Sequence, residues 1–370
     1  MDRSKWEYKK WADVLNIING RDYKEVAAVD GAYPICGSGG EIGRASEYLC
    51  PENTVIIGRK GNINKPIFIE EKFWNIDTAF GLVAKSSCLI PRFLFYFCLH
   101  YDFERHNKAV TIPSLTKGDL LKIDMLLPSL SNQQRIVAEL DCLNEMIAVK
   151  QEQLKEFDKL AQSIFYDMFG DPMDNVHEWG ISILEDVVSD SCSISYGIVQ
   201  PGEDVENGVP VVRPIDLVNQ VVYKDGLKIV DKAISDSYKR TILKGDELLF
   251  CVRGTTGIIS FASEELKGCN VTRGITPLEF GEKIDKYYAY YLLKTPYLQS
   301  LIAEKTNGIA LKQINMRDVR LLPIMCPPLA LQQQFAEKIQ AIEAQKELVK
   351  QSIAETQSLL DYTMDYYFNK

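Results

Sequence analysis

The sequence is short of the residues that usually carry out chemistry. It has three histidines, His100, His106 and His177, and none stands at the i, i+4 spacing of a helical metal site. Its nine cysteines are scattered, odd in number and form no C-x-x-C pair. That usage argues against a zinc ribbon or a disulfide framework and fits reduced thiols in the cytosol. The most apolar run, CLIPRFLFYFCLHY, is too short to span a bilayer and is broken by Pro91 and Arg92, so it reads as the start of a buried helix. The opening MDRSKWEYKKWADVL lacks the apolar stretch of a signal peptide, and a cytoplasmic protein is expected. No Gly-Lys-Ser/Thr follows the glycine cluster GSGGEIGR, so it is not a nucleotide-binding loop. Also missing are the strand-glycine motif and the Asn/Asp-Pro-Pro-aromatic motif of an amino-group methyltransferase, and a convincing Asp…Glu-x-Lys nuclease cluster. An enzyme is therefore not expected.

Positive charge is scarce too. The net charge is −9, distributed as +1 over residues 1–110, −3 over 111–170, −7 over 171–310 and zero over 311–370. No segment is strongly basic. A nucleic-acid partner would have to be held by local clusters, or with phosphate attraction supplied by other subunits.

What the sequence does have is a repeat. With 370 residues, 46% hydrophobic and 25% charged, it has room for two or more full cores. LPSLSNQQRIVAEL begins at Leu127 and PPLALQQQFAEKI at Pro327, and Pro128 and Pro327 lie 199 residues apart. After the first, Ile136, Leu140, Leu143, Ile147, Lys150, Leu154, Phe157, Ala161, Ile164 and Met168 alternate at spacings of four and three. At the same offset come Phe335, Ile339, Ile342, Lys346, Val349, Ile353, Thr356, Leu360, Thr363 and Tyr367. Both are heptad seams with one lysine breach, and neither helix contains Pro or Gly. Each helix should measure about 50–60 Å at 1.5 Å per residue. A lone amphipathic helix of that length would expose its seam. The pattern therefore predicts a coiled coil, protruding rather than packed as core helices of one compact domain.

The duplication extends upstream. TIPSLTKGDLLKIDMLLPSL matches ALKQINMRDVRLLPIMCPPL, and TVIIGRKGNI matches ELLFCVRGTTGI, each an apolar strand running into a basic residue and glycine. The expected fold class is α+β, with two pseudo-repeated mixed α/β domains and two long helices. The expected boundaries are 1–128 for the first globule, 129–170 for the central helix, 171–327 for the second globule and 328–370 for the last helix. The halves differ most in YPICGSGGEIGRASEYLCP and SISYGIVQPGEDVENGVPVVRPIDL, a shared frame with different surfaces.

In this order, YPICGSGGEIGRAS, VIIGRKGNIN, FWNIDTAFGL, the YGIVQPG…VPVVRPIDL block, GDELLFCVRGTTG and the two helix starts resemble the specificity (S) subunit of type I restriction-modification systems. The resemblance covers essentially the whole chain. It implies a non-catalytic subunit whose two target-recognition domains each read half of a bipartite site in double-stranded DNA. The helices would pair as an antiparallel coiled coil, set the spacing and dock two methyltransferase subunits, joined by motor-nuclease subunits. S-adenosylmethionine, ATP and Mg would be needed only in those partners. The acidic second half implies weak binding until the partners assemble. An alternative is a coiled-coil scaffold that binds no DNA, or the specificity subunit of a methylation-only or type IIB-like system.

Candidate DNA contacts follow from chemistry at strand ends. Arg59, Lys60 and Asn62 follow one apolar strand, and Arg253, Thr255 and Thr256 follow the other, each beside a glycine turn. An arginine there reaches a phosphate or a guanine edge, or else pairs with a surface glutamate. Ser38, Gly39, Gly40 and Arg44 form either a phosphate-approaching loop or an ordinary hairpin. Asn75 has the donor and acceptor set that reads adenine, and Trp74 beside it stacks on a base or fills a core. In the second half the candidates are Tyr196, Gln200, Arg213 and Arg273. Before the last helix come Lys312, Gln313 and Asn315, for which helix capping competes with phosphate contact.

Overall fold

The computed structural model describes residues 3–107, 111–308 and 312–369. Ala310, where the second copy of one repeat segment opens, lies outside them. The chain divides into two compact units, Met1–Glu152 with Val349–Lys370, and Gln153–Leu348.

In the first unit, β1 (Glu7–Lys10) pairs with β9 (Asp124–Leu127). A four-stranded sheet runs β2 (Leu15–Asn19), β8 (Ala79–Ala84), β5 (Thr54–Gly58), β6 (Ile67–Ile69). A three-stranded sheet runs β4 (Gly40–Ala45), β3 (Tyr33–Gly37), β7 (Trp74–Asn75). The second unit repeats the scheme. Strand β10 (Gly180–Ile183) pairs with β20 (Pro323–Cys326), and one sheet runs β12 (Val221–Val222), β15 (Ile259–Ala262), β14 (Leu248–Cys251), β17 (Ile275–Leu278). The other runs β13 (Lys228–Val230), β11 (Val209–Val212), β16 (Asn270–Val271), and a short pair joins β18 (Thr306–Asn307) to β19 (Gln313–Ile314). In both units one strand pair of the three-stranded sheet is parallel, β3 with β7 and β11 with β16.

The runs VII (residues 55–57) and LLFC (Leu248–Cys251) are apolar at every position because both faces of these strands are covered. Alternate side chains point to opposite faces of a strand. Val55 and Ile57 enter the cluster built on Trp11 and Phe93, while Ile56 packs with Cys36 and Cys50. Leu248 and Phe250 join Tyr288 and Phe335, while Leu249 and Cys251 join Val212 and Val271.

The two long helices span Leu130–Phe169 and Leu329–Phe368, about 60 Å each at 1.5 Å per residue. They pair antiparallel in each unit. In the first, Tyr367 donates its hydroxyl to Glu139 at 2.6 Å, and Leu360 shares a core with Ile136, Leu140, Leu143 and Ile147. In the second, Phe335, Ile339 and Ile342 pack with Ala161, Phe165 and Phe169. Val349, Ile353, Leu154, Phe157 and Ile164 are half-buried.

Two features of the seam differ from expectation. The helix ends are built into the globular cores rather than protruding, since the cluster of Phe335 also contains Tyr288 and Tyr291. And beyond Ala161 the fully buried residues are Phe165 and Phe169, each four residues on, in place of Ile164 and Met168, which are only half-buried. A straight helix turns once per 3.6 residues and drifts against a 3.5 repeat, so over several heptads the buried face moves by a position.

Both lysine breaches have partners on the opposite helix. Lys150 donates to Thr356 Oγ1 at 2.7 Å and to the Ser352 carbonyl at 3.3 Å. Lys346, 5% exposed, meets Asp158 at 2.7 Å, Glu343 at 2.9 Å and Gln220 Oε1 at 3.1 Å. Burial pulls the Lys346 pKa down, but hydrogen bonds and charge from Asp158 and Glu343 outweigh it and hold the ammonium above its usual range.

The repeated glutamine of the helix starts has a structural task. Gln133 donates to the carbonyls of Cys88 (2.8 Å) and Pro128 (2.9 Å) and accepts from the Ile90 N–H (2.8 Å). Gln332 donates to Lys283 (3.3 Å) and Pro327 (2.8 Å) and accepts from the Asp285 N–H (2.9 Å). Ile90 and Asp285 are the N-caps of the helices Pro91–His100 and Lys286–Leu293. Each buried amide thus ties the start of a long helix to the start of an aromatic one. We expect Gln332→Leu to cost about 1–3 kcal/mol, because it strands buried backbone groups despite its extra apolar area. Urea unfolding of the full chain measures this, and a neutral result would deny the clamp.

Candidate nucleic-acid interface

The strand-end turns predicted from sequence are the same device built twice. In the first unit, Gly61 donates its N–H to Pro113 (2.9 Å), Leu115 donates to Arg59 (2.9 Å), and Lys60 is bridged to Ser114. In the second, Gly254 donates to Lys312 (2.8 Å), Ile314 donates to Val252 (3.0 Å), and Arg253 is bridged to Gln313. By this ladder Lys60 and Arg253 occupy equivalent places. Gly61 and Gly254 have φ of +76° and +88°, and a Cβ there would meet nothing within 4 Å. Backbone conformation, not space, demands glycine at both. The turn leaves Lys60, Arg59 and Asn62 exposed and Arg253 half-buried. None of these cations has an ion pair among the described residues. The Arg59 guanidinium lies 5.8 Å from the centroid of the buried Phe80 ring, a contact of about 0.5–1 kcal/mol that places it beside the turn.

A second turn abuts the first in each unit. Arg59 donates its N–H to Thr78, and Val252 donates to Gly274, both at 2.8 Å. Ile76 is bonded to Cys36 at the end of β3, where the two-residue hairpin Ser38-Gly39 follows, with Gly40 at φ +102°. Thr272 is likewise bonded to Val212 at the end of β11, and Arg273 donates its N–H to Ile198 (2.8 Å). Gln313 donates to the Tyr196 hydroxyl at 3.1 Å, which fixes both side chains beside Arg253. Lys312 is exposed next to them. The strand ends therefore gather Tyr196, Arg253, Arg273, Lys312 and Gln313 on one edge of the second unit, and Ser38, Gly39, Arg59, Lys60 and Asn62 on one edge of the first.

The remaining candidates are placed as follows. Asn75 is fully buried, donates Nδ2–H to Ala79 at 3.1 Å, and has no surface from which to meet adenine. Trp74 is 8% exposed and donates to the Arg21 carbonyl at 3.3 Å, so it belongs to the core. Arg213 is held in a two-point fork by Asp216, at 3.0 Å from Nε and 2.8 Å from an η nitrogen. Those hydrogen bonds raise its pKa, and the fork is not open to a base edge. Arg44 pairs with Glu41 at 3.1 Å, an exposed pair of about 0–1 kcal/mol from which it is readily released. Thr256 accepts from Thr306 at 3.2 Å, Thr255 lies 3.7 Å from the Cys251 sulfur, and Gln200 is exposed beyond Ile198. Asn315 occupies an N-cap position yet makes no capping bond, whereas Thr116, at the same offset of 199, does cap its helix. Asn315 is exposed and makes no use of its amide in capping.

Sequence reasoning missed Arg21. It follows β2, is bridged to Ile76 and is exposed. The signal was there, a basic residue after a strand and glycine, but the order Gly-Arg reverses that of the other turns. Among the described residues there is no group of three potential metal ligands and no helix long and apolar enough to cross a membrane. All nine cysteines are free thiols.

The type I restriction modification DNA specificity domain matches the chain twice, over residues 3–158 and 191–357. The EcoBI type I restriction enzyme specificity subunit of Escherichia coli is 20% identical over 332 residues, covering 83% of this chain and 70% of that protein. The MjaVIII specificity subunit of Methanocaldococcus jannaschii is 22% identical, covering 91% of this chain and 86% of its own. The S subunit from M. genitalium shares the fold at a TM-score of 0.60 with 16% identity, covering 99% of this chain and 96% of that one. A chain from a study of complex assembly and conformational transition of the type I R-M system matches at 0.60 with 18% identity, covering 98% and 97%. With the duplicated domain matched in both halves, the chain belongs to the family of type I restriction-modification DNA specificity proteins.

Proposed function

We propose that this chain is the sequence-reading subunit of a type I restriction-modification complex and catalyses nothing itself. Each unit reads one half of a bipartite target in double-stranded DNA, and the paired helices set the distance between the halves. The same helices dock two methyltransferase subunits, which motor-nuclease subunits join in the cytoplasm. S-adenosylmethionine, ATP and Mg belong to those partners.

The observation that carries this reading is the duplicated turn. One backbone frame presents Lys60 and Arg253 at equivalent strand ends, without ion pairs among the described residues, while the surrounding side chains differ. Phosphate contacts from such cations position a protein, and the differing neighbours supply sequence preference. The acidic balance of residues 171–310 supports assembly before tight binding.

The test is methylation by the chain assembled with the methyltransferase subunits of its own system. A two-part motif is expected. Replacing residues 171–310 with those of another family member should change one half of it only. A motif with both halves unchanged would refute the division of labour. In binding assays, Lys60→Glu with Arg253→Glu should weaken all DNA sequences alike and lower the slope of log affinity against log salt by about 2, or about 1 per lost phosphate contact. An unchanged slope would remove both residues from the interface.

A further inference from the structure

The turns that abut Lys60 and Arg253 carry opposite charges at the same place. In the first unit Ile76-Asp77-Thr78-Ala79 is closed by the Ala79 N–H on the Ile76 carbonyl at 3.1 Å. In the second, Thr272-Arg273-Gly274-Ile275 is closed by Ile275 on Thr272 at 2.9 Å. Each turn is bonded at its first residue to the end of a neighbouring strand, Cys36 or Val212, and at its third to Arg59 or Val252. The second residue is Asp77 in one and Arg273 in the other. Asp77 is exposed and Arg273 half-buried, and neither has an ion pair among the described residues.

Asp77 is the unexpected member. Its turn lies against Arg59 and Lys60, and its neighbour Ile76 is bridged to Arg21. Cations so placed draw phosphate toward them, and a carboxylate among them is repelled by that phosphate. It is tolerated at a DNA surface where it accepts hydrogen bonds from an amino group. In the major groove the donor that suits a carboxylate is cytosine N4, whereas the fork of an arginine suits guanine O6 and N7. A shared turn, closed and anchored by equivalent hydrogen bonds and carrying opposite charge at its tip, is what two readers of different bases require.

We infer that Asp77 and Arg273 are specificity-determining residues: Asp77 reads a cytosine in the half-site of the first unit, and Arg273 reads a guanine in the half-site of the second. This rests on the two-reader function proposed above.

The test is the methylation motif of cells expressing the chain with its own methyltransferase subunits, for wild type, Asp77→Asn, Asp77→Ser and Arg273→Ala. With Asp77→Asn or Asp77→Ser, the preference for cytosine at one position of the first half-site should fall about tenfold or more, and asparagine should add tolerance of adenine. Arg273→Ala should relax one guanine of the second half-site to a similar degree. In every variant the other half-site should be read as in wild type, which also shows that the complex is folded and assembled. Preferences unchanged at every position would overturn the inference. So would a loss uniform across sequences with a shallower salt dependence, the mark of a phosphate contact. If the wild-type complex yields no two-part motif at all, the reading of the function fails first and the inference falls with it.

Discussion

Phe335→Ala is expected to destabilise the second unit by about 3–5 kcal/mol, the usual range for removing a fully buried phenylalanine. The ring has no solvent exposure and stands edge-on to Phe165, Phe169 and Tyr291, with centroids 5.7, 5.4 and 5.4 Å away. Such pairs add about 0.5–1.5 kcal/mol each beyond area burial. Phe165 and Phe169 come from the central helix and Phe335 from the last, so the cavity would open where the helices and the globular core meet. Helices fix their own backbones, and the site therefore has little freedom to collapse. Denaturant unfolding of the full chain measures the loss, and hydrogen exchange should locate it in residues 153–348. Leu348→Ala, at a side chain 58% exposed on the same helix, should stay within about 0.5 kcal/mol. Equal effects for the two would contradict the assignment of the core.

Much of this arrangement was legible because it rests on periodicity. The 4-3 spacing from Ile136 to Ile147 and from Phe335 to Ile342 marks residues that are in fact buried. The offset of 199 recurs in hydrogen bonding as well, at Pro113 and Lys312 and at Gln133 and Gln332. What escaped depends on which partner each side chain takes in the fold, which residue type alone does not give. Asn75 looked like a base reader, yet its side chain is fully buried and its amide bonds to Ala79. Arg213 looked exposed beside Pro214, yet a carboxylate three residues on, Asp216, takes its fork. Arg21 carried a local signal in reversed order, Gly-Arg after a strand, whereas Asp77 draws its interest from the packing of its turn against Arg59, which no local pattern encodes. The buried Phe165 and Phe169 escaped because a strict heptad template was carried over several turns of a helix whose true period is 3.6, while this end of the helix also packs into the globular core.

Lys150 and Lys346 bear on register as well. Each breaks an apolar seam and each finds its partner on the opposite helix, Thr356 and Asp158. At the offset of 199, Thr356 corresponds to Phe157 and Asp158 to Gln357, so pairing either helix with its own kind would deny these lysines their partners. Polar seam residues of this sort are a known means of fixing which helices pair and in what alignment.

In the proposed function the helix pair is the part that sets the distance between half-sites, and lengthening it tests that directly. Three heptads of seam pattern, 21 residues, would be inserted after Glu152 and after Gln351, positions matched by the contacts of Lys150 with Ser352 and of Lys346 with Asp158. The insertion keeps the seam in phase and adds about 31 Å at 1.5 Å per residue, close to one turn of B-DNA at about 34 Å. Sequencing of methylated bases in cells expressing the lengthened chain should return both half-sequences unaltered, with the gap between them wider by about 9–10 base pairs at roughly 3.4 Å each. An unchanged gap would show that the spacing of the target is set elsewhere in the complex.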